Sequence, residues 1–192
     1  MSLGQPELEA MLAESGALRR GHFRLSSGLH SPAYVQCALL LELPSRAREV
    51  GGALAERLRE HAPESVLSPA LGGVIIGHEV AEALGVPFRF TERQEGVMAL
   101  RRGFAIASGE RVAVIEDVVT TGKSTRECAA VAEAAGARVV AIGSILDRSG
   151  GDHGFSAPYA ALLRLDFPTY SPESCPLCAA GGTAEKPGSR PG

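Results

Sequence analysis

From Ser65 to Leu146, short apolar runs alternate with stretches whose apolar residues recur at helical spacing. That alternation restricts the chain to an α/β fold. Ser65–Ser68 reads as a strand and Pro69-Ala-Leu-Gly-Gly73 as a turn. A helix over Val74–Leu84, stopped by Gly85, leads to a strand over Val86–Thr91. Residues 92–111 are polar and arginine-bearing, and their glycines predict a hairpin. Arg111–Ile115 reads as a buried strand, Thr121–Ala135 as a helix ended by Gly136, and Arg138–Leu146 as the next strand. This order predicts a mostly parallel, twisted sheet with helices on both faces. Upstream, Glu7–Leu18 and Pro44–His61 read as helices, separated by a small-residue loop at Leu25–Pro32 and a β-prone run at Ala33–Cys37.

Composition narrows the function classes. A chain of 192 residues suits one domain, and 45% hydrophobic with 21% charged residues excludes wholesale disorder. A formal net charge of −3 argues against a nucleic-acid coat or a polybasic membrane binder. No apolar run approaches the roughly 18–20 residues of a membrane span, and the N-terminus has neither a basic nor an apolar signal region. A cytoplasmic protein is expected. Lys123 and Lys186 are the only lysines beside 17 arginines, so any lysine chemistry has two candidates.

The sharpest motif is Val112-Ala-Val-Ile-Glu-Asp-Val-Val-Thr-Thr-Gly-Lys-Ser-Thr125. A buried strand ends in two adjacent acids, then a hydroxyl- and glycine-rich loop opens a helix. Backbone N–H groups at a helix start hold a phosphate, and Gly122 lets the backbone approach it. Glu116 and Asp117 would repel a phosphate but suit vicinal hydroxyls, a cation or a developing positive charge. The whole therefore fits a ribose 5-phosphate. Gly122-Lys123-Ser124 mimics the end of a Walker A loop, but the required earlier glycine is Asp117. The bland alternative is a strand-turn-helix whose acids merely cap the helix.

This segment resembles the PRPP-binding motif of type I phosphoribosyltransferases. Phe23-Arg-Leu-Ser-Ser-Gly28 with Ser31-Pro32-Ala-Tyr34, and Leu146-Asp147-Arg148, are similar to the substrate segments of the orotate phosphoribosyltransferases. The resemblance covers about residues 5–165. It implies the type I phosphoribosyltransferase fold as one domain over 1–167, with residues 1–40 forming a small base-binding hood. Residues 168–192 are left as an irregular Pro/Gly-rich tail. It implies transfer of the phosphoribosyl group of PRPP to orotate, giving orotidine 5′-monophosphate and pyrophosphate in UMP biosynthesis. Mg²⁺ would be held mainly by PRPP, with no direct protein ligand, and the partner would be a second copy in a homodimer with shared sites. Neither nucleic acid nor membrane is implied as a partner.

Residue by residue, the resemblance implies that Glu116 and Asp117 hold the ribose hydroxyls and act in catalysis. Val118, Val119, Thr120, Thr121, Gly122, Lys123 and Ser124 would line the PRPP site. Gly72 and Gly73 would offer backbone N–H groups to pyrophosphate. Thr120, Arg148, Ser26 and Tyr34 would contact orotate, where a planar guanidinium suits a carboxylate. Ser26 and the Gly72–Gly73 loop stand where many members have lysines, and the segment from Glu92 to Arg102 carries arginines where many have lysines and a histidine. Arg93 is therefore expected to stabilise pyrophosphate electrostatically, with no lysine acid. Two alternatives share the core motif: a purine-salvage phosphoribosyltransferase and a PRPP-sensing regulator. Cys175-Pro-Leu-Cys178 is a single C-x-x-C pair whose nearest histidine, His153, is lone, and His22, His30, His61 and His78 are scattered with no metal spacing among them. It reads as an inert pair ahead of a structural metal site or a redox pair.

Overall fold

A computed structural model describes residues 3–25 and 27–187. Six strands form the main sheet: β3 (Ser65–Pro69), β4 (Phe88–Gln94), β5 (Val97–Leu100), β6 (Arg111–Val119), β7 (Arg138–Asp147) and β8 (Tyr159–Arg164), in the order β5-β4-β3-β6-β7-β8. All pairings are parallel except the β4–β5 hairpin, which forms the expected turn in the arginine-bearing stretch. Val112, Ala113, Val114 and Ile115 are fully buried. They sit on the central strand, where both faces are covered and an unbroken apolar run is required.

The covering helices divide between the faces. Helices α1 (Gln5–Glu14), α2 (Cys37–Leu41), α3 (Pro44–Leu58) and α4 (Gly72–Leu84) pack into one apolar cluster with Ala113, Ile115 and Ile145. Helix α5 (Lys123–Ala134) packs on the other face through Cys128 and Ala132 against Val112 and Val114. The expected α/β class with helices on both faces is what the chain adopts. The strand order reverses at β3: β4 lies on one side of it and β6 on the other. Open α/β sheets bind ligands at the carboxyl ends of the strands flanking such a switch point. Here those ends are Pro69 and the Glu116–Val119 stretch.

Two parts differ from the sequence reading. The expected first helix ends early, at Glu14, and Leu18–Arg24 instead forms β1, paired antiparallel with β2 (His30–Val35) as a separate ribbon. Gly16, with φ +69°, breaks the helix, and Leu18 and Phe23 then have a partner strand to face. The tail is folded onto that ribbon. Tyr170 exchanges two backbone hydrogen bonds with His30, and Glu185 bonds to His22 and Arg24. Between them lie a 3₁₀ turn at Pro172–Ser174 and α6 (Pro176–Ala179). Among the described residues no helix is long and apolar enough to cross a membrane.

Candidate active site

Glu116 and Asp117 end the buried part of β6, and the two carboxyls are held in different ways. Glu116 accepts hydrogen bonds from the Asp117 backbone N–H (3.2 Å) and from Ser124 Oγ (3.2 Å). Asp117 Oδ1 accepts from Val118 N–H at 2.8 Å. Burial, with Asp117 beside it, pushes Glu116 up to about 8, and burial also raises Asp117. No basic side chain bonds to either acid among the described residues. Paired acids left without a counter-charge are costly, and such sites are candidates for chemistry.

The first turns of two helices lie against this pair. Helix α4 begins at Gly72, and a Cβ built there would lie 2.7 Å from Asp117 Oδ1. One at Gly73 would lie 2.8 Å from the Ile115 carbonyl oxygen and 3.3 Å from Glu116 Oε1. Glycine is thus required for the loop to lie against the acids. Gly72→Ala should leave the fold intact, because the obstructing atoms are the tip of a side chain, but should swing the Asp117 carboxylate. We expect kcat/KM for PRPP to fall by roughly 10- to 100-fold with Tm nearly unchanged. An unaltered kcat/KM would remove this loop from the site.

Helix α5 supplies the second N-terminus. Gly122 caps it in the left-handed region (φ +69°), and a Cβ there would strike the His153 carbonyl at 2.6 Å. The exposed Thr120 and Thr121 line the cleft just ahead of this helix start, a setting for an anion. The Lys123 side chain leans toward Glu127 (4.0 Å), and its N–H donates to Thr121 Oγ1 at 3.4 Å. Val118 packs against the core, Val119 is buried, and the Val119 carbonyl is taken by Arg148 N–H at 2.7 Å.

A cleft of about 640 Å³ opens beside Thr120 and Thr121, between the ribbon, the β7 end and the tail. Tyr34 and Arg148 both line it, as expected from the sequence. Arg148 is half-buried, its guanidinium carbon 5.2 Å from the centre of the Phe167 ring, and its Nε is buried with no partner. Burial lowers its pKa. Asp147 does not neutralise it: Asp147 Oδ1 instead accepts from Ser149 N–H (2.9 Å) and Ser149 Oγ (2.6 Å), shaping the turn that carries Arg148. A desolvated guanidinium with a free donor is suited to a planar carboxylate.

Ser26, expected in the base pocket, lies outside the described residues. Arg93 is not brought to this cleft within the chain. Its guanidinium donates to Glu127 on α5 and to the Gly96 carbonyl (2.9 Å). Arg24, Phe167 and Lys186 also line the cleft. Arg24 lies in the Phe23–Gly28 segment and Lys186 is one of the two lysines, but the sequence reading assigns neither to the site. Nothing local marks Phe167, which reaches the cleft through tertiary folding.

No protein-family model matches the chain. Curated relatives and solved structures do. Orotate phosphoribosyltransferase of Thermotoga maritima is 52% identical over 183 residues, 95% of this chain and 98% of that protein. The crystal structure of orotate phosphoribosyltransferase from Aeropyrum pernix matches with a TM-score of 0.67 at 25% identity, covering 82% of this chain and 93% of that one. Adenine phosphoribosyltransferase from Leishmania tarentolae matches with a TM-score of 0.61 at 21% identity, over 82% and 87% of the two chains, a likeness of fold alone. By the first of these likenesses, over nearly the full length of both proteins, the chain belongs to the orotate phosphoribosyltransferase family.

Proposed function

We propose that this chain transfers the phosphoribosyl group of PRPP to orotate, releasing pyrophosphate and forming orotidine 5′-monophosphate in UMP biosynthesis. The observation that carries the choice of base is the half-buried Arg148, which lines the cleft beside Thr120 and Thr121 and is paired with no acid among the described residues. The fold cannot make that choice, since an adenine enzyme shares it. Purines have no carboxylate to satisfy a buried guanidinium, so the geometry favours orotate over the purine-salvage alternative.

In this reading the α5 N-terminus and the hydroxyls of Thr120 and Thr121 hold the 5-phosphate, while Ser124 steadies Glu116 beside it. Glu116 and Asp117 take the ribose hydroxyls. As the bond from the anomeric carbon to pyrophosphate oxygen breaks, its electron pair leaves with pyrophosphate, the bond to the base nitrogen forms, and that nitrogen's proton is released to pyrophosphate or solvent. Positive charge developing on the ribosyl ring is then met by the Glu116–Asp117 pair, and that charge draws Glu116 into its ionised form. The Gly72–Gly73 backbone takes the leaving group. Mg²⁺, when bound, neutralises charge on the pyrophosphate oxygens. An acidic pair with no basic partner fits a diphosphate that brings its own hard cation.

Two further assignments belong to the same reading. The reaction is placed in the cytoplasm, because PRPP and the nucleotide product carry several negative charges and do not cross a bilayer. The working unit is a homodimer in which the β4–β5 hairpin of one protomer serves the other's site, and this accounts for an Arg93 that reaches no cleft in its own chain. Mixing inactive Arg93→Ala with inactive Glu116→Gln should then restore turnover, since one site of the mixed dimer is wild type. A mixture that stays inactive counts against sharing.

The overall test is a spectrophotometric assay with PRPP and Mg²⁺, offering orotate, adenine, guanine, hypoxanthine and xanthine separately. Turnover with orotate alone is expected. Turnover with a purine would overturn the base assignment. Binding of PRPP without any turnover would favour the sensing role.

A further inference from the structure

We propose that His22, His30, Cys175 and Cys178 form a structural zinc site that staples the C-terminal tail to the β1–β2 ribbon. One ligand atom from each of the four lies within 4.8 Å of every other. His22 Nε2 is 2.9 Å from His30 Nδ1, 3.5 Å from Cys175 Sγ and 3.7 Å from Cys178 Sγ, and His30 Nδ1 is 3.3 Å from Cys178 Sγ. A tetrahedral zinc, with Zn–N about 2.0–2.1 Å and Zn–S about 2.3 Å, separates its ligand atoms by roughly 3.3–3.8 Å. Four of the cluster's six edges run from 2.9 to 3.7 Å and none exceeds 4.8 Å, so a small adjustment of the side chains would seat the ion.

Hydrogen bonding alone does not explain the arrangement. His22 Nε2 faces three groups and has at most one proton to share among them. Each of the four groups finds its close polar contacts inside the cluster. His30 and Cys175 are buried, and His22 and Cys178 partly so. Two imidazoles and two thiols converging on one point form the S₂N₂ set that selects zinc among common divalent ions.

The fold builds this site from segments about 150 residues apart. The register of β1 against β2 slips between Arg20 and Phe23, so Gly21 and His22 together oppose Pro32. Such a bulge re-aims a side chain, and here it brings His22 to His30. The thiols come from the short turn at Cys175–Cys178, held by the Ala179 N–H to Cys175 carbonyl bond (3.1 Å) and the Gly181 N–H to Cys178 carbonyl bond (2.8 Å). The sequence reading saw no metal spacing because the histidines lie eight residues apart and far from the cysteines. The consequence reaches the cleft. Glu185, just beyond the staple, bonds to the His22 carbonyl, and Lys186 and Pro187 then line the wall opposite Arg148. The metal would hold the tail in place as part of that wall.

The test uses untagged full-length protein. Elemental analysis should find one zinc per chain, and close to none in Cys175→Ser/Cys178→Ser. Replacing zinc by Co²⁺ in the wild-type protein should give the intense visible bands of a tetrahedral site and a thiolate charge-transfer band. Neither readout requires activity, and the cobalt spectrum does not depend on a variant that folds. Chelation should lower Tm by about 5–10 °C in the wild type and leave the double variant unmoved. Reduced wild-type protein that binds neither Zn²⁺ nor Co²⁺ would overturn the proposal. So would a Cys175–Cys178 disulfide that persists beside a full complement of zinc, or an octahedral cobalt spectrum.

Discussion

Arg148→Met is expected to raise KM for orotate by roughly 30-fold or more while leaving KM for PRPP within about twofold. Truncating one member of a buried charge pair costs about 2–5 kcal/mol, and a tenfold change in affinity is about 1.4 kcal/mol. The same substitution should raise the Tm of the ligand-free protein. In that state the guanidinium is half-buried with an unsatisfied Nε, and methionine fills similar space over Phe167 without the penalty. Arg148→Lys should not rescue orotate binding, because a point charge cannot reproduce a planar, two-donor contact. Steady-state kinetics with each substrate varied, together with thermal melts, distinguishes a binding residue from a surface one. A surface arginine would leave both readouts unchanged.

Glu116→Gln should separate stability from activity in the same way. Glu116 is 5% exposed, and its pKa rises from an ordinary 4.5 to about 8. The folded state therefore holds a proton that the unfolded state has released, and stability falls as pH rises from about 4.5 through about 8. Glutamine is neutral throughout and can still meet Ser124 and the Asp117 N–H. At pH 9 the variant should be more stable by about 2–4 kcal/mol, a Tm rise of about 5 °C or more, and the gain should vanish near pH 4. Catalysis should move the other way. A developing cation draws Glu116 into its ionised form, and a glutamine that cannot supply that charge costs about 10²–10³ in kcat. A variant that is no more stable at pH 9, or that retains full kcat, would remove Glu116 from the centre of the mechanism.

The sheet and its switch point were legible because Val112–Ile115 and its neighbours carry period and burial in the sequence itself. The Glu116–Ser124 segment was legible for a related reason: acids at the end of a buried strand, followed by a glycine-opened helix, have few other uses. The ribbon was harder. The first helix reads on to Leu18 in the sequence, past Gly16, and Leu18–Arg24 becomes a strand only through its pairing with β2, a non-local fact. The tail was harder still. Its order comes from Tyr170 and Glu185 bonding to β2 and β1, and from Cys175 and Cys178 meeting His22 and His30 across about 150 residues. No window of sequence contains both halves of that contact. Arg93 shows the opposite limit. Its charge and position in the motif pointed to the site, but the fold engages it with Glu127.

The central claim is that Arg148 reads the carboxylate of the base. Orotate and uracil share a ring and differ by that one group. The measurement is the ratio of kcat/KM for orotate to that for uracil, in wild type and in Arg148→Met, at saturating PRPP and Mg²⁺. The account predicts a ratio above about 10³ in wild type that falls toward unity in the variant, through loss of orotate turnover rather than gain with uracil. A variant that keeps the wild-type ratio would show that another group reads the carboxylate.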